Sequence, residues 1–172
     1  MCVCTRSMPP YFIDFEAFQH GDGNFKVKEL CMVDVDKPFG KHLYLLFGPS
    51  GEWHNLEHGA QCTYNYQSQH LHRLGWYEGV TPYCRYMVLH EITKYFPMFS
   101  RAITYVMGAQ KMQFLKKEYG AVMNFTEYFA TKKTLPQLPS NIKCPYRNHD
   151  GEHCACLKCY RLVEHYYELS QN

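Results

Sequence analysis

Asp14 and Glu16 alternate within the apolar stretch YFIDFEAFQHG, residues 11–21. On a strand, residues i and i+2 share one face about 7 Å apart, so both carboxylates would point at a single spot. Two buried like charges repel at a cost unless a cation stands between them. An edge strand with both acids in water is the plain alternative. A second group of reactive residues gathers near the other end, where CPYRNHDGEHC forms a Cys/His knuckle at 144–154. Four of the nine cysteines fall in the last 30 residues.

These residues need elements to hold them in place. PPYFIDFEAF reads as a first strand, GDG as a turn and NFKVKELCMVDV as a second strand with alternating apolar residues, which makes a hairpin. HLYLLFG, closed by GPSG, adds a third antiparallel strand. YNYQSQHLHRLGW is polar and reads as a short helix or loop, while YCRYMVLHEITKYF has helical spacing and stops at Pro97. RAITYVMG is a buried strand, AQKMQFLKKEYG a helix stopped by Gly120, and AVMNF a short fifth strand. TEYFATKKTLPQLPSN runs from a short helix into a Pro-rich loop, and ACLKCYRLVEHYYEL is the closing helix. The order predicts an α/β fold: a mixed five-stranded sheet, three antiparallel strands and then parallel ones, flanked by helices.

The 172 residues suit a single domain over 1–172 with its own core, with residues 1–9 expected to be flexible. Eighteen basic residues against sixteen acidic leave the chain near neutral, so bulk charge does not mark a nucleic-acid binder and any basic surface is local. Fifteen Tyr, eleven Phe and ten His make mainly a packed core and could also supply stacking surfaces for bases. No apolar run reaches the ~18 residues of a membrane span, and MCVCTRSMPP does not read as a signal peptide. The expected location is intracellular, cytoplasmic or nuclear. An odd count of cysteines at 2, 4, 31, 62, 84, 144, 154, 156 and 159 then favours free thiols or metal ligands over disulfides. The lysines at 26, 28, 37, 41, 116, 117, 132 and 133 read as solvated surface by default.

The layout resembles the RNase H-like DEDDh exonucleases over nearly the whole chain. IDFEAF looks like their first acidic motif, HLHRLGW like the His-bearing segment after the third strand, YVMGAQKMQFL like the strand and helix start that hold the second acid, and HCACLK like the closing His motif. In an active member, four acids hold two divalent metals that activate water and stabilise the leaving oxygen, with the His as general base. The resemblance assigns Asp14, Glu16 and His153 to that machinery. It puts Lys111 and Lys158 where the other two acids belong. Each exchanges a metal-binding anion for a cation that repels metal. Their ammonium groups are expected to stand where the metals would and pair with Asp14 and Glu16.

The chain is also similar to the Maelstrom domain family, an RNase H-like fold without the DEDDh acids that is tied to small-RNA pathways. That family carries a Glu-Cys-His-Cys zinc site, and Glu29, Cys144, His149 and Cys154 fall in the matching order. The family's Cys-x-x-His spacing is absent, since Arg147 stands there, and His153 is the other candidate for the third ligand. A Cys-x4-His-x4-Cys spacing still lets one loop supply three ligands to a tetrahedral Zn²⁺. Cys156 and Cys159 read as core thiols, with a reserve role as ligands.

Together the resemblances imply a degenerate exonuclease-like domain with one structural Zn²⁺. It would bind single-stranded nucleic acid, RNA in preference to DNA, or a protein partner, with no membrane, and without two-metal catalysis. The alternative is an active nuclease on single-stranded RNA, Maelstrom-like or dependent on Mg²⁺ or Mn²⁺. Lys111, Lys116 and Lys117 are the expected phosphate contacts.

Overall fold

Alternation along the first strand divides the molecule into two layers of side chains around one sheet. In the computed structural model, which describes residues 10–21, 25–120, 122–128, 137, 142–146 and 153–171, strand β1 (Tyr11–Gln19) is the sheet's second-longest strand and sits inside it. Tyr11, Ile13 and Phe15 turn to one face, where they join Val88, Ile92 and Leu115. Phe12 turns to the other and joins Leu157, Leu162 and Val163. Asp14 and Glu16 share the parity of Phe12 and therefore its face. The segment 1–9, His149, Lys132 and Lys133 lie outside the described residues.

β2 (Phe25–Asp34) and β3 (His42–Gly48) continue antiparallel from β1. On β1's other side, β5 (Thr104–Val106) and β6 (Val122–Asn124) run parallel to it. A further strand, β4 (Thr81–Pro82), lies parallel to the end of β3, so the order is β4-β3-β2-β1-β5-β6. The sheet thus has six strands where the sequence predicts five. Two residues that include a proline carry no alternation to read, and at a sheet edge the missing N–H needs no partner.

Helices α1 (His58–Gln67), α2 (Arg85–Tyr95), α3 (Ala109–Tyr119), α4 (Phe125–Tyr128) and α5 (Ala155–Ser170) complete the fold. α5 buries Ala155, Cys156, Leu157, Cys159, Tyr160, Leu162 and Val163, an apolar stripe at helical spacing that lies on β1 and β2. α3 begins after Gly108 and stops at Gly120, both at positive φ, and the Gly120 N–H caps the Lys116 carbonyl. None of the helices among the described residues is long and apolar enough to cross a membrane.

The polar segment after α1 continues into one π-helical turn, Ser68–His72, ended by Arg73 in the left-handed region. The chain then docks onto β3 at Gly79. This residue has φ +82°, and a Cβ there would lie 2.4 Å from the Phe47 carbonyl carbon. Gly79→Ala is therefore expected to cost about 1–3 kcal/mol, because backbone must give way on both sides. An unchanged thermal midpoint would show that the loop is not docked on β3 as described.

Candidate functional site

Strand pairing decides which side chains meet the two acids. Tyr11 and Phe12 pair with Thr104 and Tyr105 on β5, so the chain leaving β5 enters α3 beside the middle of β1. This brings Lys111, in the first turn of α3, over Asp14. The first turn of α5 brings Lys158 from the same face of the sheet. Lys111 Nζ donates to Asp14 Oδ1 and to the Phe15 carbonyl, and lies 3.9 Å from Glu16 Oε1. Lys158 Nζ donates to Glu16 Oε1. Two anions and two cations form a chain of contacts, with Glu16 shared.

Asp14 is 2 % and Glu16 8 % exposed, while both lysine side chains are 22 % exposed. The acids are thus buried, and the lysines close the cleft from the solvent side. Burial is the largest influence on Lys111 and opposes its charge. Asp14 and Glu16 together outweigh it and hold the lysine above its ordinary pKa. The ammonium groups stand against Asp14 Oδ1 and Glu16 Oε1, and a divalent cation beside them would meet two positive charges. The residues do not fit a two-metal site.

The other residues named from the sequence separate into those that join this cleft and those that do not. His153 is half-buried just before α5, and among the described residues it makes no hydrogen bond to either acid. His72, from HLHRLGW, is buried with Nδ1 accepting the Leu74 N–H at 3.1 Å and its ring edge-on to Phe18. Lys116 and Lys117 are exposed in the last turn of α3. At about 100° per residue they point more than a right angle away from Lys111, and the three do not line one track.

Glu29, Cys144 and Cys154 converge below β2, all buried. Cys154 Sγ donates to Glu29 Oε1 at 3.5 Å, and its thiol is pushed far up by hydrogen bonding to Cys144, by burial and by the Glu29 charge. Among the described residues no group of three or more His, Cys, Asp or Glu is set to hold a metal ion. Two thiols and a carboxylate are donor types that zinc takes, here from β2, the 142–146 segment and the cap of α5, and His149, the fourth expected ligand, lies outside the described residues. Cys156 and Cys159 are buried core thiols; the latter donates to the Cys31 and Phe12 carbonyls at 3.4 and 3.8 Å.

Lys28 departs from its sequence reading. It is 2 % exposed and not on the solvated surface, with its ammonium donating to the Trp76 carbonyl at 2.8 Å and the Glu78 carbonyl at 2.7 Å. The readable signal was the phase of the apolar residues, which slips from Phe25 and Val27 to Leu30 and Met32. A scan against protein-family models and a search of curated proteins both return no match for the chain.

Proposed function

We propose that the chain is an RNase H-like domain of the DEDDh type in which two lysines have taken over the metal positions. Its role is to bind single-stranded nucleic acid, RNA in preference, without two-metal hydrolysis. The carrying observation is the contact of Lys111 with Asp14 and of Lys158 with Glu16 in the buried cleft. The strand layout supports the reading, with three antiparallel strands and two parallel ones on the far side of β1. With Lys111 engaged by the acids, contact with phosphates falls to Lys116, Lys117 and other surface cations. A structural Zn²⁺ held by Glu29, Cys144, Cys154 and His149 belongs to the same reading. When bound, it would supply no chemistry beyond fixing β2 to the start of α5.

The test is incubation of the purified chain with end-labelled single-stranded RNA and DNA in Mg²⁺, Mn²⁺ or EDTA. The expected result is intact substrate in every case, with RNA retained weakly and released as salt rises, at a shallow slope reflecting few phosphates. Reversing charge at Lys116 and Lys117 together is expected to weaken binding equally for all sequences. Shortening from the 3′ end that requires metal and disappears in Asp14→Ala would overturn the proposal in favour of an active nuclease.

A further inference from the structure

The pairing of β1 with β2 slips once. Glu16 faces Glu29, but Ala17 faces Val27, which leaves Lys28 as the extra residue of a β-bulge. A bulge breaks the alternation of faces and re-aims the side chain it carries. Lys28 is turned by it toward the 76–78 loop, where two backbone carbonyls accept from its ammonium. An ammonium has three N–H donors, so one is left over. Among the described residues no carboxylate forms an ion pair with this buried cation.

Lys28 lines a cavity of about 180 Å³ together with Lys26, Gly48, Ser50, Trp76 and Tyr83. Lys26 Nζ donates to Ser50 Oγ at 3.4 Å, which places a second cation and a hydroxyl at the same opening. Carbonyl dipoles alone compensate a buried charge poorly. The Glu78 carboxylate acts on this ammonium electrostatically but forms no ion pair with it among the described residues.

We propose that this cavity is a binding site for a small oxyanion, a phosphate group, held by Lys28, Lys26 and the Ser50 hydroxyl. Phosphate presents several acceptor oxygens to separate donors and suits lysine as a point charge. A cavity of this size admits a free phosphate or the terminal phosphate of a nucleotide chain. The site is separate from the acid and lysine cleft and does not depend on the nuclease-like reading.

The test follows the Lys28 amine by NMR in the full chain labelled at lysine, and thermal unfolding in parallel, during titration with inorganic phosphate against chloride at equal ionic strength. Phosphate is expected to shift the Lys28 amine signal and to raise the unfolding midpoint saturably. Both responses should weaken several-fold in Lys26→Met and in Ser50→Ala, and vanish in Lys28→Met. If Lys28→Met does not fold, the half-exposed Lys26 and exposed Ser50 variants carry the test. Tighter binding of a 5′-phosphorylated oligonucleotide than of its 5′-hydroxyl twin would make a nucleotide end the source, and equal binding would leave the free ion. A wild-type chain whose Lys28 and midpoint both ignore phosphate overturns the site.

Discussion

Lys111→Met is expected to destabilise the fold by about 3–5 kcal/mol, the cost of removing one partner from a buried ion pair. Methionine keeps most of the volume and apolar contact of the lysine stem and loses the ammonium, along with its place over the Phe15 ring. The loss is therefore electrostatic. Asp14, 2 % exposed, would keep, among the described residues, the Phe15 N–H at 2.6 Å, and Glu16 would keep Lys158. Chemical denaturation of the variant and of Asp14→Asn with Lys111→Met separates the effects. The double variant should recover much of the loss, because it removes the orphaned charge along with its partner. A single variant as stable as wild type would mean that water enters the cleft and solvates Asp14.

The reciprocal change uses the same geometry. Lys111→Asp with Lys158→Asp would place four carboxylates where two anions and two cations now balance. This chain should fold poorly alone and gain stability from Mg²⁺ or Mn²⁺, seen as a midpoint that climbs with metal concentration. Such a response in the double variant and none in wild type is the expected contrast. Its absence in a folded double variant would show that the lysines do not stand at metal positions.

Cys154→Ser is expected to lower the unfolding midpoint sharply, and chain prepared without chelators to carry one zinc by elemental analysis. Structural zinc contributes on the order of 10 kcal/mol to binding-coupled folding in small zinc peptides, and less is needed where a domain has its own core. The sign of the substitution separates two accounts of the cluster. With zinc, serine is a poor ligand, and the link from Glu29 on β2 to the cap of α5 is lost. Without zinc, Cys154 is only a weak S–H donor to Glu29, and a serine hydroxyl would donate better from nearly the same place. An unchanged or raised midpoint, with no zinc found, would remove the metal from the proposal.

Short-range periodicity made much of this molecule legible in its residues. The alternation in IDFEAF places Asp14 and Glu16 on one face whatever surrounds them, because the pleat of a strand has a period of two. The stripe through ACLKCYRLVEHYYEL makes a helix that buries one side, and Gly120 stops α3. Naming Lys111 and Lys158 as partners of the acids took more than periodicity and rested on the resemblance of four segments to exonuclease motifs.

Which lysine meets which acid depended on contacts distant in sequence. Lys111 reaches Asp14 because β5 pairs with the start of β1, 93 residues away at Tyr11 and Thr104. Lys158 reaches Glu16 because α5 packs across β1 and β2. The turning of Lys116 and Lys117 away from Lys111, by contrast, follows from helical spacing alone. Lys28 shows the limit most plainly. Its phase slip is written in KVKEL, but its burial exists only where β1 holds Glu16 opposite Glu29 and Ala17 opposite Val27, and where the 76–78 carbonyls close over the bulge. A local pattern sets the direction of each side chain, whereas its partner is set by whichever distant segment the sheet brings to that direction.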